Sequence, residues 1–275
     1  DKVVFASAST KYAKKHSWDG MNFYDLFVAD IDEETGDLIN AVTLEGDVNS
    51  PYHESTAVFT KDGKTMYFTR NNEIKKKRSH DPKVMRLKIF KAELHGKWNV
   101  VEDLPFNDNS FSTAYPALNA DETKLYFSSD RPGGQGMSDI WYVDLMGDRY
   151  GEPVHLGNEI NTPGREAFLF ISEKDILYFA SDGHLGLGGL DIYYTELDEN
   201  GKPGEITNLG EPFNSSLDDF SLIVDADGKK GYFTSNRGGV NAADDDIFHF
   251  NSDRPIDSAE CEILLAGVVK DQDTQ

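Results

Sequence analysis

Residues 125–143 read LYFSSDRPGGQGMSDIWYV. Two short runs rich in aromatic and β-branched residues flank a glycine-rich joint, and an aspartate opens the second run. The pattern recurs as LYFASDGHLGLGGLDIYY at 177–194 and GYFTSNRGGVNAADDDIF at 231–248. Weaker copies are MYFTRNNE at 66–73, followed after an insertion by LKIF at 87–90, and VVFASAS at 3–9, followed by YDLFVAD at 24–30. The central aromatics Phe5, Phe68, Phe127, Phe179 and Phe233 are spaced 63, 59, 52 and 54 residues apart. Self-similarity at such a period is the signature of a repeat architecture.

Each unit keeps one internal order. A strand such as TAYPALNA or SLIVDAD leads to a polar turn (KDGK, ADETK, SEKD, ADGKK), and the aromatic strand, the glycine joint and the Asp-Ile-aromatic strand follow. A fourth strand is expected in VTLEGDV, VEDLPFN, PVHLGNEI and ITNLGEPF. The segments NSPYHE, NSFSTAY, NTPGREA and NSSLDDF then lead onward. Short strands bounded by Gly, Pro, Asn and Asp indicate antiparallel β-structure, and four strands per repeat indicate a β-propeller. The expected fold is all-β, a propeller of five four-stranded blades over residues 1–258, or six if upstream sequence adds one. Unit one lacks its first strand, and unit five lacks a clear fourth strand unless EILLAGVV supplies it. The stretch around 83–95 fits a strand as well as a helix.

The glycines are expected to allow positive φ in a tight loop. Asp25, Asp139, Asp191 and Asp246 are expected to be structural corners, accepting loop N–H groups or pairing with Arg131 or Arg237 across the loop. Unit two has Lys88 at that position. Because side chains alternate along a strand, each Tyr-Phe pair should place one ring on either face of its blade and fill the gaps between blades.

The chain has 275 residues, 38% of them hydrophobic, with 17 Phe, 12 Tyr and 3 Trp, which is enough for an unstapled core. Its formal charge of −22 argues against nucleic acid and against anionic lipid surfaces as general partners. The single cysteine, Cys261, forms no internal disulfide and leaves the redox compartment open. No leader is read at the start, and ILLAGVV is too short to span a bilayer, so no direct membrane insertion is expected.

The last three units resemble the WD40-like repeats of TolB-type propellers, in the version carried by multidomain OmpA-family envelope proteins. The shared pattern is Leu-Tyr-Phe-x-Ser-Asp-Arg-x-Gly-Gly-x-Gly-x-x-Asp-Ile-Tyr, closed by Leu-Gly-x-x-Ile-Asn-Thr, which LGNEINT (156–162) and LGEPFNS (209–215) fit. The first two units depart from it, with WDGMNF where unit one's glycine loop should stand. Residues 259–275 are expected to be a linker and the first strand of a carboxypeptidase-regulatory-like β-sandwich, on the strength of AGVVKDQDT. The resemblance implies a non-catalytic interaction module of a periplasmic, outer-membrane-associated scaffold, possessing no cofactor. Its implied partners are envelope proteins of a secretion or anchoring complex, with peptidoglycan reached only through a domain outside this chain. The module is expected to be monomeric.

Chemistry-bearing motifs are few. Ser129, Ser181 and Ser235 repeat with the unit and read as structural donors, no Gly-x-Ser-x-Gly elbow occurs, and the seven histidines show no metal-binding spacing. No catalytic residue is assigned. The runner-up function is a carbohydrate-binding or glycoside-hydrolysing propeller with paired carboxylates; a TolB-like partner of an import system is a third. Asp244 and Asp245 are weak calcium candidates. The main anomaly is the basic insertion of unit two, whose Lys75, Lys76, Lys77, Arg78, Lys83 and Arg86 stand out in an acidic chain, either as a solvated loop or as a candidate docking loop for an acidic protein partner or an anionic cell-envelope polymer. Asp257-Ser258-Ala259 matches a short O-glycosylation pattern used in bacteria with such proteins, which makes Ser258 a candidate acceptor.

Overall fold

The computed structural model describes residues 2–8, 22–72, 85–238 and 245–258. Lys75, Lys76, Lys77, Arg78, Lys83, Asp244 and the expected sandwich start at 259–275 lie outside these. The described residues form five small antiparallel sheets and no helix, so the chain is a five-bladed propeller. Blade one contains β1 (Lys2–Ala8), β2 (Tyr24–Ile31) and β3 (Leu38–Thr43). Blade two contains β4 (Glu54–Phe59), β5 (Thr65–Asn71), β6 (Leu87–His95) and β7 (Lys97–Asp103). Blade three has β8 (Thr113–Leu118), β9 (Lys124–Ser129) and β10 (Asp139–Met146), and two short segments, β11 (Arg149–Tyr150) and β12 (Val154–His155), both pair with β10. Blade four contains β13 (Glu166–Ile171), β14 (Ile176–Ser181), β15 (Asp191–Glu196) and β16 (Thr207–Asn208); blade five contains β17 (Asp219–Val224), β18 (Lys230–Ser235) and β19 (Asp246–Asn251).

The first and last blades are three-stranded among the described residues. In blade one β1 carries the aromatic run, so the strand that begins the other blades is missing at that place. In blade five no fourth strand pairs with β19 among the described residues. The two blades nevertheless touch: the Tyr232 hydroxyl donates to the Gly36 carbonyl at 2.7 Å. Gly36 is left-handed (φ +80), and the His249 ring stands where a Cβ would project, so this contact needs glycine twice over.

Packing follows from strand alternation. Tyr126 and Phe127 are adjacent and fully buried, yet they belong to different cores. Tyr126 packs with Leu169, Phe179 and Tyr193 of blade four, whereas Phe127 packs with Tyr67 and Ile89 of blade two. Tyr178 and Phe179 divide in the same way between the junctions on either side of blade four. Each aromatic strand therefore serves two interfaces.

The innermost strands share an irregularity that the repeat pattern did not announce. β4, β8, β13 and β17 each carry a register shift against the next strand. At each shift stands a non-glycine residue with positive φ: Thr56, Tyr115, Phe168 and Ser221. Such a conformation costs on the order of 1 kcal/mol or more, and here it bends the strand at a bulge. The bend aims rings inward, with Tyr115 and Phe168 at 4.4 Å and Phe168 and Phe220 at 4.5 Å between centroids. These contacts link the inner strands of blades three, four and five.

The third strand of four blades would end as an open edge at its start, and one asparagine closes it each time. Leu26, Ile89, Ile140 and Ile192 donate their N–H to Asn49, Asn107, Asn161 and Asn214 at 2.7, 3.2, 2.6 and 2.7 Å. The same four carboxamides donate back to the same residues' carbonyls at 3.0, 2.7, 3.1 and 2.9 Å. A carboxamide mimics one rung of a β-ladder because it carries donor and acceptor side by side. A leucine adds a backbone bond to that carbonyl each time: Leu156 and Leu209 of the Leu-Gly closing motif, and Leu44 and Leu104, which Glu45 and Pro105 follow. The asparagine and leucine thus carry each blade edge one residue past the point where the outermost strand stops pairing.

Asn161→Ala should leave the N–H and C=O of buried Ile140 without these partners and cost about 3 kcal/mol. Urea denaturation of the purified chain measures it; a loss below about 0.5 kcal/mol would show that the clamp is not needed.

Candidate functional site

The segments between blades and the glycine joints lie side by side on one face. Met137 N–H donates to the Gly164 carbonyl at 2.7 Å, and Gly189 N–H to the Leu217 carbonyl at 3.1 Å, so the joints of blades three and four each rest on the connection to the following blade. The corner aspartates organise these joints from beneath. Asp139, almost fully buried, accepts from Gln135 N–H at 3.0 Å and Gly136 N–H at 3.2 Å. Asp191, equally buried, accepts from Leu187 and Gly188 at 2.9 and 3.0 Å. Asp25 is fully buried, whereas Asp246 is exposed. In blade two Lys88 takes the corner and bonds Asp103 at 2.9 Å.

This explains the glycines differently from the expectation of positive φ. Gly133 alone in the first joint is left-handed, and none of Gly183, Gly186, Gly188 and Gly189 is. Gly134 and Gly186 are pressed against the carboxylates of Asp139 and Asp191. A Cβ there would take the carboxylate's place, so close approach is the requirement.

Arg131 and Arg237 also differ from their expected pairing. Neither bonds Asp139 or Asp246; each turns toward the connection from the preceding blade. Arg131 donates to the Phe106 carbonyl at 3.1 Å, and Arg237 donates to the carbonyls of Pro212 and Phe213 and to Asp219. Arg70 does the same in blade two, reaching the Val48 carbonyl and Glu54. In blade four His184 substitutes, its Nε2 lying 2.8 Å from the Ile160 carbonyl. A carbonyl only accepts, which fixes the Nε2–H tautomer. Val48, Phe106, Ile160 and Phe213 are the residues immediately before the four asparagines, so every connection is tied backward by its carboxamide and forward by a cation or imidazole.

The third tie is an acid at the start of the inner strand. Glu54, Glu166 and Asp219 are fully buried. They accept from the Ser50, Thr162 and Ser215 hydroxyls at 2.5, 2.6 and 2.8 Å, and from the same residues' N–H groups. Burial pushes Glu54 and Glu166 up to about 7. Glu54 has Arg70 at 2.9 Å as a counter-ion; Glu166 has the Thr162 and Ser181 hydroxyls and no cation in ion-pair range among the described residues. Ser181 donates to Glu166 at 2.9 Å and Ser129 to the Ser112 carbonyl at 2.6 Å, while Ser235 accepts from Arg237 Nε at 2.9 Å. These serines are built into the joints.

Sequence reasoning quoted the connecting segments but did not extract this set. The signal was present as Asn-Ser/Thr-x-x-x-Glu/Asp in NSPYHE, NTPGRE and NSSLDD. In NSFST the acid is replaced by Thr113, and the clamp moves to Asn107.

The outward side of this face carries some of the exposed apolar residues. Leu185 is 95% exposed, Met137 66% and Leu187 52%, and Leu217 lies beside Gly188. Of the basic insertion, Arg86 is described: its guanidinium pairs with Asp130 at 3.2 Å, which puts the foot of the insertion next to blade three's joint. Asp245 stands just before β19, and no group of three His, Cys, Asp or Glu side chains suited to a metal occurs among the described residues. Ser258 is exposed, and its hydroxyl donates to the Pro255 carbonyl at 2.7 Å. No helix of the described residues is long and apolar enough to cross a membrane.

No protein-family model matches the chain, and no curated protein matches it in sequence. Among solved structures, TolB from Acinetobacter baumannii aligns over 91% of this chain and 50% of its own, with TM-score 0.51 and 15% identity. A gluconolactonase from Xanthomonas campestris aligns over 77% of this chain and 62% of its own, with TM-score 0.46 and 15% identity. A Mycobacterium tuberculosis puromycin-hydrolyzing peptidase aligns over 84% and 32%, with TM-score 0.46 and 16% identity. The chain is thus a TolB-like β-propeller in fold, and it spans about half the length of the TolB chain.

Glu166 gives the site a pH signature. Its folded value, about 7, lies above the ordinary 4.5, so the folded state holds more protons between those values. Stability is then full below about 4.5 and falls as pH rises to about 7, by roughly 3 kcal/mol from this residue. Glu166→Gln should flatten the fall; denaturation at pH 4.5 and pH 8 tests it, and an unchanged difference would contradict it.

Proposed function

We propose that this propeller is a non-catalytic protein-interaction module of a periplasmic, outer-membrane-associated scaffold, of the kind represented by PorE in the type IX secretion system, and that it captures its partner on the glycine-joint face. The observation that carries the reading is the division of roles on that face. Exposed side chains at Met137, Leu185 and Leu187 are apolar and stand on joints braced from beneath, which suits protein contact. The inner-strand acids, which a hydrolase would need to present in a pair, are instead buried and engaged by hydroxyls and backbone N–H groups. Placement in the envelope rests on the resemblance of LYFSSDRPGGQGMSDIWYV and LGNEINT to repeats of OmpA-family proteins.

The basic insertion supplies the electrostatic part of capture in this reading. A positive loop in a chain of charge −22 gives a local attraction for an acidic partner and a strong salt dependence.

Pull-down from envelope extracts by the full-length protein tests both parts, with partners identified by mass spectrometry. Leu185→Glu with Leu187→Glu should reduce capture of secretion-complex components about ten-fold with unchanged thermal stability. Lys75→Glu, Lys76→Glu and Lys77→Glu together should weaken capture at low salt and reduce its salt dependence. Capture unchanged in both variants would overturn the reading.

A further inference from the structure

Four of the blade junctions repeat one design but differ in charge. At junction one–two, Arg70 faces Glu54; at four–five, Arg237 faces Asp219. At three–four, His184 stands in for the arginine and Glu166 keeps only hydroxyl and N–H donors among the described residues. At two–three the substitution is the reverse. The arginine is retained as Arg131, and threonine, Thr113, replaces the acid.

Arg131 is therefore a buried cation without an internal counter-ion. It is 9% exposed. Its Nε donates to the Ser129 hydroxyl at 3.2 Å, and Nη2 to the Phe106 carbonyl at 3.1 Å and the Thr113 hydroxyl at 3.3 Å. Among the described residues, Nη1 has no acceptor and no carboxylate comes within ion-pair distance. The guanidinium lies over the rings of Phe127, Phe111 and Trp141 at 4.9, 5.0 and 5.4 Å from their centroids. Ring faces soften a buried positive charge but do not accept its in-plane hydrogen bonds. Burial alone pulls the guanidinium down to about 10, with no neighbouring charge opposing it. Trp141 adds a second surplus donor, since its indole N–H is buried with no acceptor among the described residues. The neighbourhood is short of acceptors, and buried polar groups are ordinarily matched.

Arg131 opens onto a cavity of about 330 Å³ whose apolar wall is Pro105, Phe106, Phe111 and Pro153. We propose that this cavity is a ligand site for a monocarboxylate bearing a small apolar or aromatic group. The carboxylate occupies, against Arg131, the role that Glu54 and Asp219 fill at two other junctions, and the apolar group lies against the proline and phenylalanine wall. Nη1 is the guanidinium nitrogen left to donate, and a carboxylate oxygen is the charged acceptor that suits it. Asp108 and Glu152 also line the cavity. Their charge opposes every anion and a doubly charged one most, so hydrogen phosphate is a poorer ligand here than a monocarboxylate, whose apolar group adds contact with the wall. The site does not depend on the scaffold reading.

The test is titration of the purified full-length protein with benzoate, benzamide and inorganic phosphate, followed by calorimetry and by Trp fluorescence. Benzoate should bind saturably, benzamide at least about ten-fold more weakly, and phosphate not at all. The decisive variant is Thr113→Glu, which installs the acid found at the equivalent positions 54 and 166. It should fold, melt at higher temperature than the wild type and bind benzoate at least about ten-fold more weakly. Arg131→Lys, which retains charge but loses the planar fork, should also weaken binding while benzamide binding is unmoved. A peptide ending in free-acid phenylalanine, compared with its C-terminal amide, separates two sources of the same chemistry. Tighter binding of the free-acid peptide than of benzoate assigns a polypeptide chain end, and the reverse order assigns a small acid. Absence of saturable benzoate binding, equal binding of benzoate and benzamide, or undiminished benzoate binding by Thr113→Glu would each overturn the proposal.

Discussion

A carboxamide that stands in for a missing strand is the interaction on which the rest of this propeller depends. Whatever its length, the outermost strand here stops pairing one residue short of the clamped position, at Phe27, Phe90, Trp141 and Tyr193. Without a further partner the buried start of the third strand would leave its backbone groups unmatched, at a cost of one to a few kcal/mol each. Asn49, Asn107, Asn161 and Asn214 remove that cost and also fix where the chain leaves one blade for the next. Once those exits are fixed, the cation on the following carbonyl and the acid beneath the following hydroxyl have a fixed target. Blade orientation is thus set by polar ties at one end of each wedge, and the aromatic cores fill the space they define.

Polar ties of this kind tolerate substitution only in matched sets, and the deviations are where functional chemistry is to be sought. Removing the cation at one junction leaves Glu166 buried among hydroxyls and backbone N–H groups alone. Removing the acid at another leaves Arg131 buried among rings, with its hydrogen bonds incomplete. Both changes fall in a repeat whose other copies show the balanced arrangement, so the repeat itself provides the reference state. Opposite imbalances thus stand at adjacent junctions, an acid without a cation at one and a cation without an acid at the other.

The repeat and its strand order were legible in the sequence because strand alternation and turn residues are local signals. LYFSSD and LYFASD sort their two rings between two cores simply because neighbours in a strand point opposite ways. The joints were less legible. Glycine suggested left-handed backbone, but at Gly134 and Gly186 it answers to the bulk of a carboxylate brought from the next strand, which no local rule contains. Arg131 and Arg237 were assigned to the corner aspartates across the glycine loop, whereas their acceptors lie about 25 residues back in a segment that only the closed ring brings near. The asparagines were visible as part of a closing motif, but their partners are set by tertiary geometry. The left-handed residues Thr56, Tyr115, Phe168 and Ser221 left no trace in residue type at all, since threonine, tyrosine and phenylalanine rarely adopt that conformation.

Amide hydrogen exchange at four positions tests the carboxamide clamp most directly. The N–H groups of Leu26, Ile89, Ile140 and Ile192 point at side chains of connecting segments, so ordinary loop contacts would let them exchange quickly. If the clamps hold the blades, these amides exchange as slowly as the ladder amides of the aromatic strands, Phe68, Phe127 and Phe179, and open only with the global unfolding of the ring. Exchange at the rate of the exposed joints, with the aromatic strands still protected, would show that the blades stand without them.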